Sequence, residues 1–107
     1  MAKPYRLEYL QLFYDDLESI VSYIAITLKN PKAAEKLIDN VEAAIRRRLP
    51  VADMFEKYYS KKERRNPYYR IYVRNYVVYY VVIETESEKI REVRRLLHGL
   101  QNRNTIV

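Results

Sequence analysis

The sequence contains no cysteine, no tryptophan, one histidine and one glycine. Without cysteine, disulfide scaffolds, thiolate metal sites and thiol nucleophiles are excluded. A single glycine is too few for the Gly-rich loops that cradle phosphates or dinucleotides. One histidine without cysteine cannot build a zinc site, and no cluster of carboxylates indicates another metal. We therefore expect neither a metal nor an organic cofactor.

Long apolar runs are missing as well. The longest uninterrupted one, Tyr76 to Ile83, is far too short to cross a bilayer as a helix. The N-terminus lacks the apolar h-region of a signal peptide, and the absence of cysteine fits a reducing compartment. We expect a cytoplasmic protein that starts at or near Met1 and has no membrane partner.

Positive charge and tyrosine are abundant, and both are unevenly distributed. The 107 residues carry a formal net charge of +6 and include 12 tyrosines. Residues 50–107 hold 12 Lys and Arg against 7 Asp and Glu, and eight tyrosines lie between Tyr58 and Tyr80. Cations attract polyanions and aromatic rings stack on unpaired bases, which favours a nucleic-acid ligand. Alternatively, tyrosines are good strand residues and the charges keep a small protein soluble.

Hydrophobic periodicity in the first half predicts a strand followed by two helices. Residues from Tyr5 to Leu10 alternate as a short strand, and helical spacing then runs from Gln11 to Lys29. Asn30 and Pro31 end this helix and begin a second one, since Asn caps helices and Pro suits their first position. The second helix closes with three arginines and stops at Pro50. So short a connection makes the helices an antiparallel hairpin.

The second half predicts a loop over residues 51–67 and then three strands. Tyr69, Ile71 and Val73 alternate with Tyr68, Arg70, Tyr72 and Arg74 as a half-buried strand, and we expect Arg70 on its open face or at its end. A tight turn at residues 74–75 follows, in which Asn75 tolerates a positive φ. Residues 76–83 form a central strand that is apolar on both faces, and residues 90–97 form the third strand. The predicted fold is one α+β domain over residues 1–107, an N-terminal strand and an antiparallel helix hairpin packed on a twisted antiparallel β-sheet.

Cleavage of RNA at its own 2′-hydroxyl is the chemistry that best suits a basic, aromatic surface without a cofactor. It needs a base, an acid, and cations that hold the extra charge on the phosphate. Arg70 can supply that charge, and His98 is the one side chain whose ordinary pKa suits proton transfer near neutrality. Alternatively, Arg70 pairs with an acid across the sheet and His98 is a strand-end residue. Further candidates for binding the RNA or another target are Lys61, Lys62, Arg64, Arg65, Tyr72, Arg74 and Arg94.

Three stretches of sequence, taken in order, carry a resemblance to a known family. They are Tyr5 to Leu10 with Asp16 to Ile24, then Tyr69 to Tyr80, and then Val93 to Gly99. Their order and spacing resemble the RelE/ParE superfamily, the small basic toxins of bacterial type II toxin–antitoxin modules. The resemblance implies two helices on a twisted antiparallel sheet. It also implies a cognate antitoxin that wraps the toxin in a hetero-oligomer.

The resemblance implies two possible targets. At the site positions, the chain matches the nuclease members at some residues and differs from them at others. RelE-like and YoeB-like members cut mRNA on the ribosome, whereas ParE-like members block DNA gyrase without that active site. Arg70 matches a basic residue that RelE-like nucleases use against the phosphate, and His98 matches a general acid of YoeB-like nucleases. Val77 stands where both nuclease types have an arginine. Gln101 and Val107 stand where RelE-like toxins have an arginine and a catalytic tyrosine.

The sequence thus predicts a growth-arresting toxin. Ribosome-dependent mRNA cleavage by a metal-independent endoribonuclease is the first hypothesis, with Arg70 and His98 as catalytic residues. The alternatives are a ParE-like inhibitor of DNA gyrase without nuclease activity, and a basic module that binds RNA without cutting it. Losing one charge-stabilising arginine costs on the order of 10²–10³ in rate, so Val77 weakens the nuclease hypothesis.

Overall fold

A computed structural model describes residues 4–48, 57–58 and 68–99, the pair 57–58 through its backbone only. The elements alternate as the periodicity predicts, with one strand before the helices and the other strands after them. In chain order they are β1 Tyr5–Tyr9, α1 Gln11–Ser22, a π-helical segment Tyr23–Thr27, α2 Pro31–Arg48, β2 Lys57–Tyr58, β3 Tyr68–Val73, β4 Tyr76–Glu84 and β5 Lys89–His98.

The strands form one mixed sheet in the order β1-β5-β4-β3-β2. Strands β2 to β5 pair antiparallel, whereas β1 pairs parallel to β5, from Tyr5 opposite Lys89 to Tyr9 opposite Val93. The α+β class and the helix hairpin are confirmed, and β4 is central as expected. The N-terminal strand β1 joins the antiparallel strands of this sheet as one parallel strand. In the sequence, the helix hairpin lies between β1 and the antiparallel strands. In the sheet, β1 runs beside β5, the last strand, in the same direction.

The sheet has two faces, each with its own buried cluster. The helix-facing cluster joins Phe13 and the apolar side of α2 to alternate residues of β3 and β4 and to Val93 and Leu96 of β5. Arg91 is fully buried, with its guanidinium carbon 4.7 Å from the ring centre of Tyr5 and 5.8 Å from that of Tyr80. The opposite face, which we call the outer face, buries Tyr68, Val77, Tyr79, Val81 and Leu97. This division follows from the period of two along β3 and β4. In β5, the register shifts where Tyr79 pairs with Arg95 and Tyr80 with Val93, and this β-bulge puts Val93 and Leu96 on the same face.

The first helix ends differently from the expected continuous helix to Lys29. The α-helical pattern stops at Ser22, and the π-helical segment closes with the N–H of Leu28 donating to the carbonyl of Tyr23 at 3.0 Å. Lys29 then takes a left-handed conformation with φ 53°, which breaks the helix and turns the chain. Asn30 caps α2 as predicted, since its Oδ1 accepts from the N–H of Ala33 at 3.2 Å.

Arg48 fixes the end of α2 against the sheet. Its Nη1 donates to the main-chain carbonyl of Arg70 at 3.1 Å and to the hydroxyl of Tyr80 at 3.0 Å. One guanidinium therefore joins the last turn of α2 to both β3 and β4. Hydrogen bonds to a charged donor are worth roughly twice those between neutral groups, so this contact sets the distance between α2 and the edge of β3.

Asp16 fixes α1 against β5 where β1 ends. Its carboxylate accepts from Nε and Nη2 of Arg95 at 2.8 and 2.9 Å, and from the main-chain N–H of Leu96 at 2.9 Å. This hydrogen bonding raises the pKa of the Arg95 guanidinium above its ordinary value. The pairing of β1 with β5 ends at Tyr9 and Val93. Beyond it, the main-chain N–H of Leu96 donates to the carboxylate of Asp16 instead of to a strand.

We expect Asp16→Ala to lower the free energy of unfolding by about 2–3 kcal/mol, because it leaves a partly buried guanidinium and an edge amide without their acceptor. Urea denaturation followed by circular dichroism measures this. The control is Asp15→Ala, because Asp15 is exposed and, among the described residues, accepts only from the side chain of Gln11. Its effect should stay within about 0.5 kcal/mol. Equal effects of the two variants would contradict the role given to Asp16.

In the turn between β3 and β4, the residue with a positive φ is Arg74 and not Asn75, for which a positive φ was expected. Arg74 has φ 55°, and Asn75 is not among the residues with positive φ. The carbonyl of Asn75 accepts from the N–H of Gly99 at 2.7 Å, which ties this turn to the end of β5. A non-glycine residue in this conformation is strained because its Cβ approaches the following carbonyl oxygen.

Arg74→Gly should therefore raise the free energy of unfolding by about 0.5–1 kcal/mol, the relief of left-handed strain less the added freedom of the unfolded chain. Lys29→Gly relieves the same kind of strain at the helix hairpin and should act alike. Denaturant midpoints at constant m-value check both. A lower midpoint for Arg74→Gly would show that its side chain stabilises the turn.

Candidate functional site

The predicted site residues that the structure describes lie at three places. Lys61, Lys62, Arg64 and Arg65 lie outside the described residues. Arg70, Tyr72 and Arg94 lie on or beside the outer face, Arg74 lies in the β3–β4 turn, and His98 ends β5.

On the outer face, two arginines lie beside tyrosine rings. The guanidinium carbon of Arg70 is 5.6 Å from the ring centre of Tyr72, and that of Arg94 is 5.9 Å from the ring centre of Tyr68. Arg70 is half-buried, while Tyr72 is 61% exposed. Because the face of Arg70 is opposite to the helices, its side chain is not covered by them. The strand alternation read from the sequence predicted this side correctly.

Arg94 is held by the protein's own acid. Its Nε lies 2.7 Å from Oε1 of Glu92, and both side chains are largely buried. A guanidinium paired in this way contributes less charge to a bound phosphate than a free one, since the carboxylate already neutralises it. The sequence predicted Arg94 as a residue that binds RNA or another target, and its geometry fits an internal ion pair with Glu92.

His98 lies on the helix-facing side of the sheet. It pairs with Tyr76 across β4 and β5, and the two rings meet edge to face at 5.4 Å between centres. Tyr76 packs against the helix-facing cluster. Burial, with a smaller contribution from Tyr23, raises the pKa of the Tyr76 hydroxyl above its ordinary value. The neutral hydroxyl beside His98 is therefore favoured at physiological pH.

The sheet separates the two predicted catalytic residues. Arg70 occupies the outer face, whereas His98 follows Leu96 by two residues and shares its helix-facing side. A phosphate held by Arg70 lies across the backbone layer from the imidazole of His98. Acid–base catalysis needs the proton donor within hydrogen-bond reach of the reacting group, and the structure does not bring these two side chains to one surface.

Val77 belongs to the outer-face cluster and is only 2% exposed. It pairs with Tyr72 on β3 and Leu97 on β5. At the position where the nuclease resemblance has an arginine, this chain thus has a packed apolar side chain. The packed apolar neighbours of Val77 exclude water, so this position does not suit a cation.

We expect Val77→Arg to lower the free energy of unfolding by about 3 kcal/mol or more, because the outer-face cluster offers a buried charge no counter-ion. Tyr72→Arg, at the exposed position directly opposite, places the same side chain on the same face and should cost less than about 1 kcal/mol. Urea denaturation compares the two. If Val77→Arg is as stable as Tyr72→Arg, the position is a cation site after all.

Arg47 is a candidate that the sequence reading missed. The sequence indicates only that it is one of three cations at the negative end of the α2 dipole. In the structure it lines a groove with Arg74 and Tyr72, between α2 and β3. The signal available in sequence was the arginine run itself; which of the three arginines faces β3 depends on how α2 is rotated on the sheet.

Residues 7–103 match the family model described as the ParE toxin of the type II toxin–antitoxin system parDE. The chain belongs to the ParE toxin family. No curated protein matches the sequence. The resemblance to the RelE/ParE superfamily is confirmed.

As a toxin of a type II module, the protein has a cognate antitoxin as its partner. Within the described residues, neither helix of the toxin is long and apolar enough to span a bilayer.

Proposed function

We propose that this toxin arrests growth by binding DNA gyrase in the cytoplasm, without cutting RNA, and that its antitoxin neutralises it in a hetero-oligomer. ParE-like members of the superfamily act on gyrase, and the chain belongs to the ParE family. The sequence alone favours mRNA cleavage. The geometry of the site residues is what reverses that preference.

The single observation that carries the proposal is the separation of Arg70 from His98 by the sheet. Cleavage at the 2′-hydroxyl needs charge stabilisation and proton transfer at one phosphate. Arg70 and His98 cannot serve the same phosphate from opposite faces. An inhibitor that acts by binding needs only a complementary surface, so this separation does not hinder it.

Two further features of the described residues support inhibition by binding. Val77 gives the outer face an apolar centre, and Arg94 is neutralised by Glu92. Neither position supplies the free arginine that the nuclease members have. The charge stabilisation that is missing corresponds to about 10²–10³ in rate for each such group.

Ribosome-dependent mRNA cleavage is the second candidate. It is favoured by Arg70 beside the exposed ring of Tyr72, an arrangement that suits a phosphate next to an unpaired base. In that mechanism Arg70 holds the phosphate and His98 is the acid. The two candidates therefore predict opposite results for variants of these residues.

We expect Arg70→Ala, His98→Ala and the double variant to remain toxic on induction, because a gyrase inhibitor uses neither side chain for chemistry. The parent chain should inhibit supercoiling of relaxed plasmid by purified gyrase and induce the SOS response. Sequencing of RNA 5′ ends after induction should reveal no codon-positioned cuts.

Arg46→Ala serves as the matched control, since it removes an exposed arginine that pairs with Glu42 on the same helix. Circular dichroism confirms that each variant folds. The proposal fails if Arg70→Ala and His98→Ala both lose toxicity, along with about 10²-fold or more of an RNA-cleavage signal, while Arg46→Ala stays toxic.

A further inference from the structure

A groove of about 340 Å³ lies where the helix hairpin meets the turn between β3 and β4. Ile24 and Leu28 line one side, residues of α2 line the second, and the turn with the start of β4 lines the third. Every residue that lines it belongs to the described ranges. We call it the hairpin groove, and it is distinct from the groove that Arg47 lines.

One side of the hairpin groove is aliphatic. Leu37 belongs to the helix-facing cluster, and Ile24 packs against that cluster from the π-helical segment. Leu28 lines the groove beside them and is 55% exposed. Tyr23 and Ile26, close by in the chain, also expose more than half of their side chains. Large apolar side chains that are exposed together mark a surface for a partner, whereas isolated ones are ordinary.

The cations that line the groove are unpaired. Lys36 and Arg74 are both exposed, and no carboxylate of the described residues lies within ion-pair distance of either. None of the residues that line the groove is acidic. A concave site with two cations and no acid attracts a partner that carries carboxylates.

Two amide side chains of the groove are unpaired as well. Among the described residues, the side chain of Asn30 caps α2, whereas those of Asn40 and Asn75 make no hydrogen bond. An amide side chain offers both donors and an acceptor. Asn40 and Asn75 can therefore pair with the main-chain N–H and C=O groups of an extended peptide.

We propose that the hairpin groove binds an acidic segment of the antitoxin. One branched aliphatic side chain of that segment lies against Leu28 and its neighbours, and carboxylates lie against Lys36 and Arg74. The antitoxin is the protein partner that follows from membership of the family. The inference rests on the part of the proposed function in which an antitoxin neutralises the toxin, and it does not depend on whether gyrase is the target.

Two other occupants fit the groove less well. In a two-fold contact between copies of this chain, the same patch lies on both sides, so Lys36 and Arg74 would meet further cations. Single-stranded nucleic acid would use these cations but leave the aliphatic side chains in water. The aromatic residue that lines the groove, Tyr76, packs against the helix-facing cluster rather than offering an open ring for stacking.

Titration calorimetry of the purified antitoxin with the full toxin chain tests the proposal. Leu28→Gln should weaken binding about 5- to 10-fold, because it removes aliphatic surface that the complex buries. Lys36→Gln and Arg74→Gly should each weaken binding about 2- to 5-fold at low salt and less at high salt, since exposed ion pairs are weak and screened. Arg74→Gly also relieves a left-handed φ, so a loss of affinity in that variant does not come from unfolding.

Two matched controls should bind like the parent. Leu12→Gln removes a leucine of α1 that is 51% exposed but lies outside the groove. Arg46→Gln removes an exposed cation of α2 that pairs with Glu42 and does not line the groove. Thermal denaturation shows that each variant is folded at the assay temperature.

Carbodiimide coupling of the complex reports the contact directly, because it joins a lysine amine and a nearby carboxylate as an amide with loss of water. Peptide mapping should find Lys36 joined to an Asp or Glu of the antitoxin. A complex in which Lys36 remains uncoupled, and whose affinity Lys36→Gln leaves unchanged, would contradict the ion pair that we propose.

The proposal is overturned if all three groove variants bind the antitoxin like the parent, in which case neutralisation uses another surface and the proposed function stands. It is also overturned if Leu12→Gln and Arg46→Gln weaken binding as much as the groove variants. An antitoxin that does not bind the parent chain would overturn both the groove and the proposed neutralisation. Groove variants that keep antitoxin affinity but inhibit gyrase less would assign the groove to gyrase instead.

Discussion

The β4 strand is apolar on both faces, and the arrangement of the functional side chains depends on it. Tyr79, Tyr80 and Val81 are each fully buried, in clusters on alternating sides of the sheet. A strand buried on both sides cannot slip by one residue without exchanging every side chain between the faces. Its register therefore fixes β3 and β5, and with them the face on which each arginine and the histidine lie.

Charged contacts then attach the helices to this sheet. Asp16 holds α1 to the exposed edge of β5, and Arg48 holds α2 to β3 and β4. Both contacts join a side chain to a main-chain group of a strand, which gives them direction that apolar packing lacks. The second contact brings α2 alongside β3, and Arg47 lines the groove between them.

Local patterns in the sequence predicted the elements and the side of Arg70, because periods of 3.6 and 2 report burial directly. They could not predict that β1 runs parallel to β5, or that Asp16 meets Arg95, since these contacts join segments far apart in the chain. The face of His98 depends on its pairing with Tyr76, a register that alternation within β5 does not determine. The place of Arg47 in the groove depends on the rotation of α2 about its axis, and three consecutive arginines in the sequence do not determine that rotation.

Some arginines make contacts inside the protein, whereas others are exposed to solvent. Arg91 is enclosed between aromatic rings, Arg94 and Arg95 are neutralised by Glu92 and Asp16, and Arg48 is used against the sheet. Arg47 and Arg74 remain exposed. Catalysis on a phosphate requires free cations beside a proton donor, whereas binding requires only free cations on a suitable shape. Because Arg70 and His98 lie on opposite faces of the sheet, their arrangement supports the proposed inhibition by binding rather than bond cleavage.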